Sequence, residues 1–375
     1  MPSAIERRGT RLVLRLLVWL VVVAMPKLLR AEGEVAATSP AAAAPAAAIA
    51  PQEAAIKSTE SVLEGPSGHA GADPAVAVGV DQPAAPAPAE QLAPSASAPK
   101  PAPYSLPWQL RPVVAASVVR SDTASAFFED AASGNHGTTT ATTLLASYKV
   151  AEGFAPLARI GAVNYAPPTG PSKTVFVNPV VGGTYAIAPA KNLRVAFFLG
   201  FALPLGQGGG DSPDPATAAA VAAGVLARSA MDNAMFAVNY FTTFPGVGVA
   251  YVGHGLTVQA EATVLELVRA RGEKAKSSAD GARTNFTSGL HVGYFVVPML
   301  SLGAELRYQR WLANDSVPSD APTRDTLTFA LGPRLHVQLA DKIWFRPGLA
   351  YARGIDDPMS NQSYNVVQLD LPVAF

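Results

Sequence analysis

From about Tyr104 onward the chain repeats one device: stretches of ten to fifteen residues with strand character, joined alternately by very short and by long connections. Twelve stretches read as strands: Trp108 to Val119, Thr139 to Val150, Phe154 to Tyr165, Thr174 to Ala188, Leu193 to Leu205, Phe244 to Gly253, Leu256 to Arg269, Phe286 to Val297, Leu300 to Trp311, Leu327 to Ala340, Ile343 to Arg353 and Tyr364 to Phe375. Several alternate with a period of two: Leu300, Leu302, Ala304, Leu306 and Tyr308 oppose Ser301, Gly303, Glu305, Arg307 and Gln309. A soluble sandwich gives the same alternation, so length and connections must decide. Strands of soluble sheets run to about 5 or 6 residues, and a tilted membrane-crossing strand needs about 9 to 11. The short joints lie near Gly153, Lys191, His254, Pro298 and Asp341. The long ones run from Ser121 to Gly137, Pro167 to Lys173, Gly206 to Thr243, Ala270 to Thr284, Ala313 to Thr326 and Gly354 to Gln362. Tight turns on one rim and long loops on the other predict an all-β, transmembrane, antiparallel up-and-down barrel of about twelve strands over residues 104–375, with both ends on the short-turn side.

Aromatic residues fall near predicted strand ends, where rings with a polar edge suit the headgroup level. Trp108, Phe154, Tyr185, Tyr294, Phe295, Trp344 and Phe375 are expected by the short-turn rim, and Tyr165, Phe244, Tyr308 and Trp311 by the other.

The last stretch, S-Y-N-V-V-Q-L-D-L-P-V-A-F, places Val367, Leu369, Leu371, Val373 and Phe375 on one face and Gln368 and Asp370 on the other. It resembles the closing strand of Gram-negative outer-membrane β-barrel proteins. That resemblance implies an outer-membrane location, lipid against the apolar face, and a barrel assembly machinery that reads the aromatic ending. The run A-R-S-A-M-D-N-A-M-F after a Gly-rich loop is also somewhat similar to uptake barrels for aromatic compounds and fatty acids.

The first 31 residues read as a signal peptide: Arg7, Arg8, Arg11 and Arg15 precede the apolar run Leu16 to Met25, about half of the ~20 residues a helical span needs. Cleavage fits after Ala24 or after Ala31. Residues 32–103 are rich in Ala, Pro and Ser, too poor in large apolar side chains to offset their ordering entropy, and read as a disordered periplasmic linker. Such a tether either contacts the cell wall or is inert.

Composition excludes several functions. The absence of cysteine removes disulfides, thiolate metal sites and a lipidated amino-terminal Cys, and a net charge of zero gives no bulk field to attract nucleic acid. No His, Ser and Asn or Gln constellation gathers on one wall, and no H-x-x-x-H or acidic cluster offers metal ligands. The chain is therefore read as no enzyme, with no cofactor.

Two features carry functional candidates. Asp214 followed by Pro215 starts a helix expected over Pro215 to Asn233, which either enters the barrel mouth and constricts it or lies on the surface. Inward-facing polar residues form the second group: Glu261, His291, Glu305, Arg307, Arg334, His336, Arg346 and Asp370 are expected to line the lumen. Glu305, Arg307, Arg334, Arg346 and Asp370 stand at comparable heights, as a ladder of charges with Asp370 beside Arg346. With Arg111, Lys149, Arg159 and Arg194 the interior is somewhat basic. The expected function is a passive pore for small solutes; the alternative is a non-conducting anchor whose loops or linker bind a partner.

Overall fold

The computed structural model describes residues 104–130, 133–272, 281–314, 317, 321–357 and 359–375. The signal peptide and linker expected over 1–103 lie outside the described residues.

The strands are β1 (Val118–Glu129), β2 (His136–Ser147), β3 (Phe154–Ala166), β4 (Lys173–Phe176), β5 (Val180–Ala190), β6 (Leu193–Ala202), β7 (Tyr240–Gly253), β8 (Leu256–Arg269), β9 (Ala282–Val297), β10 (Leu300–Ala313), β11 (Asp325–Leu335), β12 (Val337–Gln338), β13 (Trp344–Phe345), β14 (Gly348–Gly354) and β15 (Asn365–Ala374). All pairings are antiparallel, and β1 pairs with β15 from Val118↔Ala374 to Phe127↔Asn365, closing the sheet. The fifteen segments form twelve staves, because β4 with β5, β11 with β12 and β13 with β14 are each one stave broken in two. Proline sits at two of the breaks, Pro179 between β4 and β5 and Pro347 between β13 and β14, and its missing N–H interrupts the ladder.

The faces are inverted relative to a soluble sheet. Outward side chains such as Ile160, Phe197, Leu199, Leu331 and Leu349 are exposed, while Gln259, His291, Glu305, Arg307 and Asp370 are buried inside. A closed wall with an apolar exterior and no free edge meets the demand of a bilayer that every backbone group be paired internally. The barrel is transmembrane.

The first stave differs from expectation. Trp108 to Val119 is not a strand: β1 begins at Val118, and residues 104–117 run inside the lumen. Most of the connection expected from Ser121 to Gly137 is β1 itself, and the real joint is 130–135. β1 escapes an apolar-alternation reading because its outward face carries hydroxyls. Thr123 pairs with Thr142 and Ser125 with Thr140, each at 3.1 Å, so cross-strand bonds satisfy groups that would otherwise meet lipid bare.

The aromatic belts are thinner than expected for a related reason. Phe154, Tyr185, Tyr294 and Phe375 do face outward at the short-turn rim. Trp108 is buried in the lumen, Phe295 packs on His336, Phe244 on Phe198, and Tyr165 stacks on Phe128. Trp344 pairs across from Ala374 and lines the interior cavity.

Candidate functional site in the barrel interior

The lower lumen is filled by the chain that precedes β1. Wall side chains hold this segment by its main chain. Glu305 accepts from the amides of Trp108 and Gln109, and Glu261 from that of Arg111. Thr257 accepts from the Ser105 amide at 3.0 Å. In the other direction Arg334 donates to the carbonyls of Leu106 and Pro107, Arg120 to those of Pro107 and Trp108, and Gln259 to that of Arg111. Three side chains of the segment add to this: the Tyr104 hydroxyl donates to Gln259 at 2.5 Å, the Ser105 hydroxyl donates to that of Ser301 at 3.2 Å, and Arg111 forms an ion pair with Glu261. The Trp108 ring meets His291 edge-on at 5.9 Å.

Above this cradle lies a network of charges. At the closing seam Asp122 of β1 stands directly opposite Asp370 of β15, and both are buried. Facing like charges destabilise a sheet, so arginines must converge on the pair. Asp370 accepts from Arg120 at 2.6 Å and Arg334 at 2.5 Å; Asp122 accepts from Arg228 at 2.7 Å and from Gln368 at 3.0 Å. Arg307 bridges Glu305 and Gln368, each at 2.9 Å.

Arg228 comes from the long loop between β6 and β7, which folds into the barrel from the other rim. Its helix α1 (Pro215–Ala227) starts as expected: Asp214 caps it, accepting from the Thr217 amide at 3.0 Å and hydroxyl at 2.7 Å. These bonds hold the Asp214 carboxyl below its ordinary pKa. The helix does not run on to Asn233. Ser229 and Ala230 both adopt φ of 51°, a conformation costly for residues with a Cβ, and a second turn, α2 (Asn233–Phe236), follows. That buried tip aims Arg228 and Asp232 at the wall, where Asp232 also accepts from Arg159 at 2.6 and 2.9 Å. Around it the interior is apolar: Ala220, Val221, Met235 and Phe236 pack against Ala124, Val163, Val180 and Leu265. At Gly224 a Cβ would come within 2.5 Å of Phe236 and 2.7 Å of Val163, so only glycine admits this approach. The loop enters where β4 breaks from β5: Asn178 donates to the Ala237 carbonyl and accepts from the Gly206 amide, both at 2.9 Å.

Between the two inserts a cavity of about 660 Å³ extends from the short-turn rim, at Ala116, Pro298, Asp341 and Ala374, up to Met231 and Met235 beneath the loop. Its charged lining is Arg111, Arg120, Arg159, Arg194, Arg228 and Arg346 against Asp122, Asp232 and Asp341. Among the described residues Arg194 and Arg346 form no ion pair. Arg194 donates to the Lys191 and Leu193 carbonyls, and Arg346 lies over the Trp344 ring with its Nε unpartnered.

Of the residues singled out by sequence, Glu261, His291, Glu305, Arg307, Arg334, His336 and Asp370 are all buried in the interior, and Arg346 is half-buried on the cavity wall. Glu305, Arg307, Arg334 and Asp370 belong to one network. Arg346 does not pair with Asp370: its backbone carbonyl accepts from Arg334 at 2.6 Å. His336 bonds Ser301 at 2.9 Å, apart from the carboxylates. Lys149 is exposed. Sequence reasoning missed Arg120 and Asp122, on the strand whose face was unreadable, and Arg228 and Asp232, in a loop. Val367, Leu369 and Phe375 face outward and exposed, with Leu371 and Val373 half-buried on the same side.

No family model matches the chain, and no curated protein matches it. Solved structures similar to it are outer-membrane barrels. An outer membrane channel from Pseudomonas putida F1 is 11% identical with a TM-score of 0.44, over 72% of this chain and 98% of that one. The NanC porin is 12% identical with a TM-score of 0.40, over 69% and 99%. A Pseudomonas aeruginosa FadL homologue is 9% identical with a TM-score of 0.36, over 69% and 90%.

Proposed function

We propose that this chain is an outer-membrane barrel of a Gram-negative bacterium that passes small solutes, anions in preference to cations, along its lumen. The cavity carries this reading: of the six arginines that line it, Arg111, Arg120, Arg159 and Arg228 are paired with carboxylates, whereas Arg194 and Arg346 face it with charge that no described carboxylate cancels. Fixed positive charge along a narrow path lowers the barrier for anions and raises it for cations. No catalytic group is required. Purified full-length protein in planar bilayers, with liposome swelling in small sugars and carboxylates, tests the proposal; stable absence of both conductance and uptake would sink it.

Selectivity gives a finer test. Replacing Arg346 with Glu should shift the reversal potential in a salt gradient toward cations by an easily measured margin, and an unchanged reversal potential would place the permeation path elsewhere.

One observation favours a second reading. Both inserts fill the lumen with buried ion pairs and packed side chains, as suits a non-conducting anchor whose partners bind its loops or, through the linker, the cell wall. Conductance decides between the two. In either case the outward face Val367, Leu369, Leu371, Val373 and Phe375 is proposed to contact lipid and the barrel assembly machinery. Deleting Phe375 should then cut the yield of assembled barrel while leaving the behaviour of each assembled molecule unchanged; normal yield would remove that role.

A further inference from the structure

The two inserts are held in different ways, and the contrast suggests which of them moves. The loop insert sits in an apolar core, with Met235 and Phe236 buried among wall side chains. The segment below it buries Trp108, Leu110 and Val113, but its main chain is bound by polar wall groups. Four of its amides, those of Ser105, Trp108, Gln109 and Arg111, donate to wall side chains. Four of its carbonyls, those of Leu106, Pro107, Trp108 and Arg111, accept from them. Pro107 and Pro112 lack the N–H needed to add a strand, and the segment pairs with no stave. Every bond it makes is one that water can replace on both sides, and water has access, because Tyr104, Leu106, Gln109, Arg111 and Val114 border the cavity along their length. Withdrawing the segment breaks no rung of the barrel.

We propose that the lower lumen is a receptor for the extended main chain of Tyr104–Val113, and that this segment is a releasable stopper whose withdrawal toward the short-turn rim opens the path. Recognition is by backbone. Glu305 and Glu261 take its amides, Arg334, Arg120 and Gln259 take its carbonyls, and the Trp108 ring seats the middle against His291. The inference rests on the barrel being a solute channel.

The absence of cysteine makes a clean lock possible. Ser105 and Ser301 place their hydroxyl oxygens 3.2 Å apart, one on the segment and one on β10, a separation a disulfide can span. In the full-length Ser105→Cys/Ser301→Cys variant, oxidation should abolish channel openings and dithiothreitol should restore them to the wild-type level. Equal, non-zero conductance in both redox states overturns the stopper while leaving the channel intact. If neither state conducts, the channel reading fails instead, and release is judged separately in the single Ser105→Cys variant. Labelling by a membrane-impermeant maleimide that is accelerated severalfold by Glu305→Gln supports a releasable segment. A thiol equally protected with and without Glu305→Gln overturns it.

Discussion

Replacing Arg228 with Met should lower the barrel's stability by about 3–5 kcal/mol, the cost of leaving a buried carboxylate without its counter-charge. Arg228 is 1% exposed and holds Asp122 at 2.7 Å and Asp232 at 2.8 Å. Asp232 keeps Arg159 when Arg228 is lost, but Asp122 keeps only neutral Gln368 as a direct partner and still faces Asp370 across the seam. The damage should therefore concentrate where the barrel closes. The measurement is the urea midpoint of unfolding from lipid vesicles, supported by the temperature at which the compact band is lost on SDS gels. Asp122→Asn should recover most of the loss in the double variant, because the amide needs no cation, whereas Arg228→Lys should recover little, since one ammonium cannot span both aspartates as the guanidinium does. A loss within about 0.5 kcal/mol, typical of an inconsequential surface change, would show that the seam does not depend on the loop.

Excising Ala216 to Ala230 should raise single-channel conductance by the largest margin of any change considered, since α1 and the buried tip at Ser229 and Ala230 roof the cavity. Because the excision removes Arg228, it is best made together with Asp122→Asn, so that lost stability is not mistaken for an opened path. Conductance unaltered by the excision would mean that solutes bypass the loop. If the excision does raise conductance, closure of the excised barrel on oxidation of the added Ser105→Cys/Ser301→Cys pair would place the two inserts in series along one path.

The barrel was legible because its physics is written in the period of the strands. Leu327, Phe329 and Leu331 against Thr328 and Gly332 can be read without coordinates, and so can the alternation of Val367, Leu369 and Leu371 with Gln368 and Asp370. Inward charges followed from the same parity. What could not be read was anything that depends on a group with no period. β1 presents Ser and Thr to lipid in hydroxyl pairs, so its two faces look alike in sequence. The segment from Tyr104 to Arg111 is bound through its peptide groups, which every residue shares, and Trp108 near a strand-like run imitates a belt residue. For the loop, Asp214 and Pro215 announced a helix, but its destination was set by Arg228 finding Asp122, a residue 106 positions away. One signal was available and unused: A-R-S-A-M-D-N places a cation and an anion four apart in an otherwise small, apolar run, a costly arrangement unless both meet partners.

The stopper is joined to the first stave at Val118 by only Val114, Ala115, Ala116 and Ser117, and the Ser117 hydroxyl and carbonyl bond to Lys149 and Phe375. A ligand on so short a leash has an effective concentration of about millimolar or more at its receptor. Any solute that seeks the same glutamates and arginines competes with a resident that dilution cannot remove. Weak binders in the surrounding medium will lose that competition, and traffic through the barrel will be governed by whatever acts on the leash from outside, rather than by how tightly the cargo binds.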